Sequence, residues 1–244
     1  MPIAKVNDIA MNYEVHGQGE PLVLIGGLGA DISVHRKMIR QLSDKYKVLA
    51  LDNRGVGRTD KPDIPYTIEV MADDTAGLMA AAGIERADVL GISLGGRIAM
   101  ALALRHPGRV MRLVLTSTFA SQPEKKLPLS YHAVKLIAAC ARPFRKQTQP
   151  YCAFVRQLEA SRGYECAARL GEIRAPTLIL HGTKDKIAPF KLAEELHAGI
   201  PGSKLIPFRG GHAFPFTQRE LFINEVSNFL AGTMMSASNM AVGK

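Results

Sequence analysis

Cysteine is scarce in this chain of 244 residues: Cys140, Cys152 and Cys166 are all that it has. An odd number of thiols in mid-chain does not make a disulfide framework. With no His or Cys at metal-binding spacing beside them, they do not make a zinc site either. Long apolar runs are also missing. No stretch approaches the roughly 20 residues that a membrane-spanning helix needs, and Met1-Pro2-Ile3-Ala4-Lys5-Val6 lacks the basic segment followed by an apolar stretch that marks a secretory leader. The expectation is a cytoplasmic protein with no membrane partner. Phosphate-binding loops are absent as well. Gly26-Gly27-Leu28-Gly29 lacks the third glycine of a dinucleotide fingerprint, Gly55-Val56-Gly57-Arg58-Thr59-Asp60 ends in Asp instead of Gly, and neither carries Lys-Ser or Lys-Thr.

The charge balance is lopsided, at a formal +9. A nucleic-acid partner would explain it, but no helix-turn-helix, zinc-finger or aromatic strand motif is present, so none is expected. The excess sits in mid-chain, where Lys125, Lys126, Lys135, Arg142, Arg145, Lys146, Arg156 and Arg162 face only Glu124, Glu159 and Glu165. A solvated basic surface accounts for this; attraction of anionic substrates is the sharper alternative. With 47% hydrophobic and 22% charged residues, the composition is that of a globular protein with one large core.

Against these absences, one stretch carries chemistry. In Ala87-Asp88-Val89-Leu90-Gly91-Ile92-Ser93-Leu94-Gly95-Gly96-Arg97-Ile98-Ala99-Met100, an apolar strand run meets Gly-x-Ser-x-Gly and continues into a helical pattern. The five-residue pattern alone is weak, but strand before and helix after make it a nucleophile elbow. A serine in that turn is strained and pushed outward, flanked by glycines that keep Cβ atoms out of the crowded bend. The helix starting near Leu94 aims free N–H groups and its positive dipole end at the same place.

A serine needs a base, and the base needs an orienting acid. Ala175-Pro176-Thr177-Leu178-Ile179-Leu180-His181-Gly182-Thr183-Lys184-Asp185 reads as a buried strand ending in a turn, with Asp185 just beyond the strand end. Lys204-Leu205-Ile206-Pro207-Phe208 reads as a further strand, followed by His212 on the glycine-rich loop Arg209-Gly210-Gly211-His212-Ala213-Phe214. The other six histidines, His16, His35, His106, His132, His181 and His197, sit at hairpin, helix, insert or strand positions that fit worse. The strand ending Leu115-Thr116-Ser117-Thr118 offers no carboxylate, which strengthens Asp185 as the acid. The order Ser93, Asp185, His212 is that of an α/β-hydrolase site.

Strand patterns occur near 4–6, 11–15, 22–25, 48–51, 88–92, 112–116, 177–180 and 204–207; helical patterns fit 33–42, 68–82, 94–105, 189–198 and 218–230. Their alternation predicts an α/β fold, a mostly parallel eight-stranded sheet with helices on both faces. Ligands then bind at the C-terminal strand ends. The expected division is a core of residues 1–118 and 167–230, an insertion at 119–166 and a mobile tail at 231–244. An insertion of that length is no plain loop, and 131–141 and 151–159 read as short helices of a cap over the site.

On these motifs the chain resembles the α/β-hydrolase superfamily, in its compact esterase and lactonase branch. The resemblance is strong over about Val23 to Thr118 and Leu170 to Leu230 and weak between them. By it, Ile25-Gly26-Gly27-Leu28-Gly29 is similar to the oxyanion turn after the third strand, with Gly26 where histidine is usual. The backbone N–H groups of Leu28 and Leu94 are then the implied oxyanion donors. Asp52-Asn53-Arg54-Gly55-Val56-Gly57-Arg58-Thr59-Asp60 resembles the family's loop after the fourth strand and reads as architectural. Tyr66-Thr67-Ile68 and Gly83-Ile84-Glu85-Arg86-Ala87 give a loose resemblance to 3-oxoadipate enol-lactonases. Serine at the elbow argues against haloalkane dehalogenase and epoxide hydrolase chemistry, which uses aspartate there. The resemblance implies a serine hydrolase acting on small carboxylic esters or lactones, needing no metal or organic cofactor. Thioester, carbon–carbon bond and perhydrolysis chemistries share the site plan, as do non-catalytic receptors on the same scaffold.

Overall fold

A computed structural model of the chain describes residues 2–122 and 149–232. Eight strands form one sheet: β1 (Ile3–Val6), β2 (Ile9–His16), β3 (Pro21–Ile25), β4 (Lys47–Leu51), β5 (Ala87–Ile92), β6 (Val110–Thr116), β7 (Thr177–Gly182) and β8 (Lys204–Phe208), in the order β1-β2-β4-β3-β5-β6-β7-β8. The first pair and the β2–β4 pair are antiparallel, and every later pairing is parallel. All eight strands coincide with the apolar runs of the sequence.

Strand periodicity sorts the core into two layers. Val23, Ile25, Leu49, Leu51, Val89, Leu113, Leu115 and Ile179 point to one face, where helices α2 (Ile68–Ala81) and α3 (Leu94–Arg105) cover them. Leu22, Leu24, Val48, Ala50, Leu90, Ile92, Val114, Leu178 and Leu180 point to the other, against helix α1 (Arg36–Ser43) and, near the C-terminus, Phe222, Ile223, Val226 and Phe229. Burial on both faces is why these strands are apolar throughout instead of alternating.

The remaining α-helices among the described residues are α4 (Tyr151–Gly163), α5 (Phe190–Gly199), the short α6 (Phe214–Thr217) and α7 (Arg219–Leu230). Three differ from the sequence reading. The pattern at 33–42 divides into a 3-10 turn, Ile32–His35, capped by the Asp31 side chain accepting from the Ser33 N–H, and then α1. Helix α4 runs to Gly163, beyond the expected 159. Helix α6, with Pro at its start, was not expected, because four residues are too few for a period. The expected helix at 131–141 lies outside the described residues, as do Cys140 and His132. Among the described residues, no helix is long and apolar enough to cross a membrane.

Strand order fixes where a site can form. From β3 the chain goes to β4 on one side and then to β5 on the other, so the loops after β3 and β5 part at their C-terminal ends and leave a crevice. Gly26 to Gly29 follow β3 and Ser93 follows β5.

The opposite end of β5 carries an unusual charge. Asp88 is fully buried and its Oδ2 accepts from Arg112 Nη1 at 3.1 Å, while its Oδ1 is unpaired. Burial pushes its pKa up to about 6, with Arg112 pulling partly the other way. A raised carboxyl pKa favours folding fully below the ordinary value of 3.8, and that contribution is lost as pH rises through about 6. Asp88→Asn removes this dependence. Relative to wild type, its unfolding free energy is expected to gain about 1 kcal/mol between pH 5 and pH 8 in urea titrations. Parallel pH profiles for the two proteins would refute this.

Candidate active site

Ser93 sits between β5 and α3 with φ +56° and ψ −116°, a backbone conformation that non-glycine residues rarely adopt. Such strain costs on the order of 1–3 kcal/mol and persists only where the surroundings enforce it. Here the Ser93 N–H donates to the Thr116 carbonyl at 2.8 Å, and its own carbonyl accepts from Thr118 Oγ1 at 2.8 Å and from the Gly96 N–H at 2.9 Å. Strand β6 thus holds the elbow from the side.

Asp185 follows β7 in a turn closed by its own N–H to the Gly182 carbonyl, 3.1 Å. The neighbouring Lys184 N–H donates to the Gly210 carbonyl at 2.8 Å, which ties this turn to the loop bearing His212. Asp185 Oδ1 accepts from the Ile187 and Ala188 N–H groups at 2.8 and 2.9 Å. Its Oδ2 lies 2.7 Å from His212 Nδ1, and His212 Nε2 lies 3.0 Å from Ser93 Oγ. The three side chains named from the sequence therefore form one hydrogen-bonded line.

Burial is the largest influence on the Asp185 carboxyl and would raise its pKa. The His212 hydrogen bond and charge, with the two backbone N–H groups, outweigh it and hold the group below its ordinary value. An ionised carboxylate only accepts, so the His212 Nδ1 carries the proton and Nε2 turns its lone pair to the serine hydroxyl. Buried His181 completes the support. Its Nε2 donates to the Ala188 carbonyl at 2.7 Å, and burial lowers its pKa, so the ring stays neutral beside Asp185. A depressed histidine pKa favours folding above its ordinary 6.5, and that contribution is lost as pH falls below it.

The turn after β3 faces this line from the other side. A Cβ on Gly27 would stand 3.4 Å from the Ser93 Cβ, so the turn runs within van der Waals reach of the serine. The Ala30 N–H closes the turn onto the Gly27 carbonyl at 3.1 Å, and Gly29, its third residue, has φ +65° while Leu28 keeps a negative φ. That combination is a type II turn, which requires φ above zero at its third position. Leu28 and Leu94 thus stand on the two walls of the crevice, at the turn and at the first residue of α3. At Gly26, where the family usually has histidine, a Cβ would meet the His35 ring at 2.8 Å.

The loop after β4 is architectural, as its sequence suggests. Asp52 accepts from Asn12 Nδ2 and from the Ile32 and Arg58 N–H groups, and buried Arg54 is clasped by Asp74 and Asp8. Of the basic cluster, Arg156 pairs with Asp63 and Glu159 at 3.3 and 3.4 Å. Lys125, Lys126, Lys135, Arg142, Arg145 and Lys146 lie outside the described residues.

Residues that sequence reasoning missed are second partners: Thr118 on the Ser93 carbonyl, Ser117 Oγ on the His212 carbonyl at 3.0 Å, and Gln157 beneath the β3 turn. None has a motif, and each acts through a backbone group distant in sequence.

Comparison with known proteins agrees with this architecture. The sequence matches the alpha/beta hydrolase fold family over residues 20–138 and the serine hydrolase (FSH1) family over residues 87–222. It is 30% identical over 259 residues to AB hydrolase superfamily protein YisY of Bacillus subtilis, covering 91% of this chain and 95% of that one. A protein of Azorhizobium caulinodans provisionally named carbamate hydrolase RutD is 29% identical over 252 residues, covering 91% and 95%. The enol-lactonase from Burkholderia xenovorans LB400 superposes with a TM-score of 0.84 at 25% identity, covering 94% of this chain and all of that one. The chain belongs to the alpha/beta hydrolase superfamily and is a hydrolase.

Proposed function

We propose that this hydrolase cleaves small carboxylic esters or lactones through an acyl-enzyme intermediate on Ser93. The observation that carries this reading is the line from Ser93 Oγ through His212 to Asp185, at 3.0 and 2.7 Å. In the first step Ser93 Oγ attacks the acyl carbon while His212 Nε2 takes its proton. Asp185 holds the ring in the Nδ1–H tautomer and stabilises the imidazolium. The charge that develops on the carbonyl oxygen falls to the Leu28 and Leu94 N–H groups, the second at the positive end of α3. His212 returns the proton to the departing alkoxide, which for a lactone stays tethered in the same acyl group. Water then repeats the sequence and frees the acid.

The relatives support acyl chemistry, since the names of the enol-lactonase and the carbamate hydrolase both denote substrates with a carbonyl bonded to a heteroatom. The same reading makes residues 119–166 a cap, with α4 its described helix.

The test is a turnover screen over p-nitrophenyl esters of short and medium chain length and over simple lactones, with Ser93→Ala as control. Hydrolysis by wild type alone supports the reading. Saturable binding of these compounds without turnover would replace it with a receptor on the same fold.

A further inference from the structure

Helix α4 presents Ala153, Gln157 and Ala160 to the protein interior, the i, i+4 and i+7 positions of one face. Two of these are the small residues that let a helix lie close. The third is a fully buried amide, which is costly to bury unless its polar atoms are hydrogen-bonded. Gln157 makes three of its four bonds, and both of its polar atoms have partners. Its Oε1 accepts from the Gly29 N–H and from Gln149 Nε2, each at 3.0 Å, and its Nε2 donates to the Arg54 carbonyl at 2.8 Å. The Gly29 N–H and the Arg54 carbonyl together fix which end of the amide is oxygen.

The Gly29 N–H is no arbitrary donor. It belongs to the central peptide of the turn Gly27–Ala30, the one peptide whose orientation distinguishes a type II from a type I turn. Rotating that peptide changes ψ of Leu28 and φ of Gly29 together, and glycine, with no Cβ, accepts either sign of φ. The sequence of the turn therefore leaves its form underdetermined. The acceptor that selects the form comes from a different element, 128 residues later in the chain.

We propose that Gln157 is a positioning residue that sets the oxyanion turn: its carbonyl oxygen locks the Leu28–Gly29 peptide in the type II form, and so anchors the turn on which the Leu28 N–H is carried. The inference rests on the acyl-transfer reading above. It further makes the insertion part of the catalytic apparatus, since α4 hydrogen-bonds the turn through this amide.

Three proteins test it: wild type, Gln157→Met, which keeps length but removes the acceptor, and Gln157→Glu, which, protonated in this buried site, keeps an acceptor for Gly29 and Gln149 and a donor for the Arg54 carbonyl. Small geometric errors at a reacting centre cost up to about 100-fold, so Gln157→Met is expected to lower kcat at least about tenfold with KM within about twofold. Affinity for a phenylboronic acid, whose tetrahedral adduct places an oxygen in the same hole, is expected to fall in parallel. Gln157→Glu is expected to keep kcat within about threefold of wild type. If Gln157→Met does not fold, Gln149→Leu, which frees the amide to rotate, takes its place with the same expectation in smaller measure. Unchanged kcat in a folded Gln157→Met, or a raised KM with unchanged boronate affinity, would overturn the proposal while leaving the acyl-transfer reading intact. A wild type silent toward esters, lactones and serine-directed phosphonates alike would overturn both.

Discussion

Ser93→Ala is expected to lower ester turnover by about 10⁴- to 10⁶-fold, with His212→Ala similarly deficient, because members of such a hydrogen-bonded unit act together and losing one forfeits most of the rate. The proton leaving Ser93 Oγ has one acceptor in line, His212 Nε2 at 3.0 Å, and the imidazolium so formed has one carboxylate, Asp185 at 2.7 Å. Asp185→Asn is expected to cost about 10³- to 10⁴-fold, since an amide permits the wrong tautomer while leaving the ring in place. Binding is not at issue in these variants. Ser93 is half-buried, and removing its hydroxyl opens no significant cavity, so KM is expected to stay near wild type. The complementary measurement is covalent. A serine-directed fluorophosphonate is expected to add one equivalent to wild type, mapped by mass spectrometry to the peptide containing Ser93, and none to Ser93→Ala. Label on any other peptide, or full turnover by Ser93→Ala, would assign the chemistry elsewhere.

The parts of this arrangement that were legible in the sequence are those in which one residue type is demanded by a local backbone. Strands β3 to β7 read as mainly apolar runs because helices cover both faces of the sheet. Ser93 was legible because the elbow needs glycines at fixed offsets, and Asp185 and His212 because each follows a strand in the order that a parallel sheet brings together. The supporting groups were not legible for the converse reason. Gln157, Thr118 and His181 act on backbone carbonyls or N–H groups, which every residue has, so nothing at the receiving position marks the pairing. The short helix α6, which precedes the pattern at 218–230, is similar. Phe214 stacks on Phe208 at 4.5 Å between ring centroids, and that long-range packing, not the local period, sets where the chain bends.

The packing of α3 against the sheet leads to the largest expected loss of stability. Glycine within a helix ordinarily costs about 1 kcal/mol relative to alanine, so Gly→Ala in α3 would by propensity stabilise the protein. At Gly95 the sign is reversed. A Cβ there would overlap the Ile25 carbonyl at the end of β3 and stand 2.8 Å from the Gly26 carbonyl, and both obstacles are backbone. Gly91 is equally confined, since its Cβ would meet the Gly95 carbonyl. These two glycines let the first turn of α3 press between β3 and β5; on the proposed reading, that approach brings the α3 N-terminus and the β3 turn to the same oxygen of a substrate. Because the core is close-packed and neither strand can retreat, Gly95→Ala is expected to lose more than about 3 kcal/mol in urea unfolding. Any fraction that folds is expected to turn over slowly, since relief requires α3 to move away from the Gly27–Leu28 turn. Gly108, where a Cβ would meet nothing within 4 Å and φ is not in the left-handed range, is the matched control, with Gly108→Ala expected to change stability by less than about 0.5 kcal/mol. If Gly95→Ala instead unfolds at the wild-type urea midpoint with wild-type turnover, the close approach of α3 to β3 is not what builds the site.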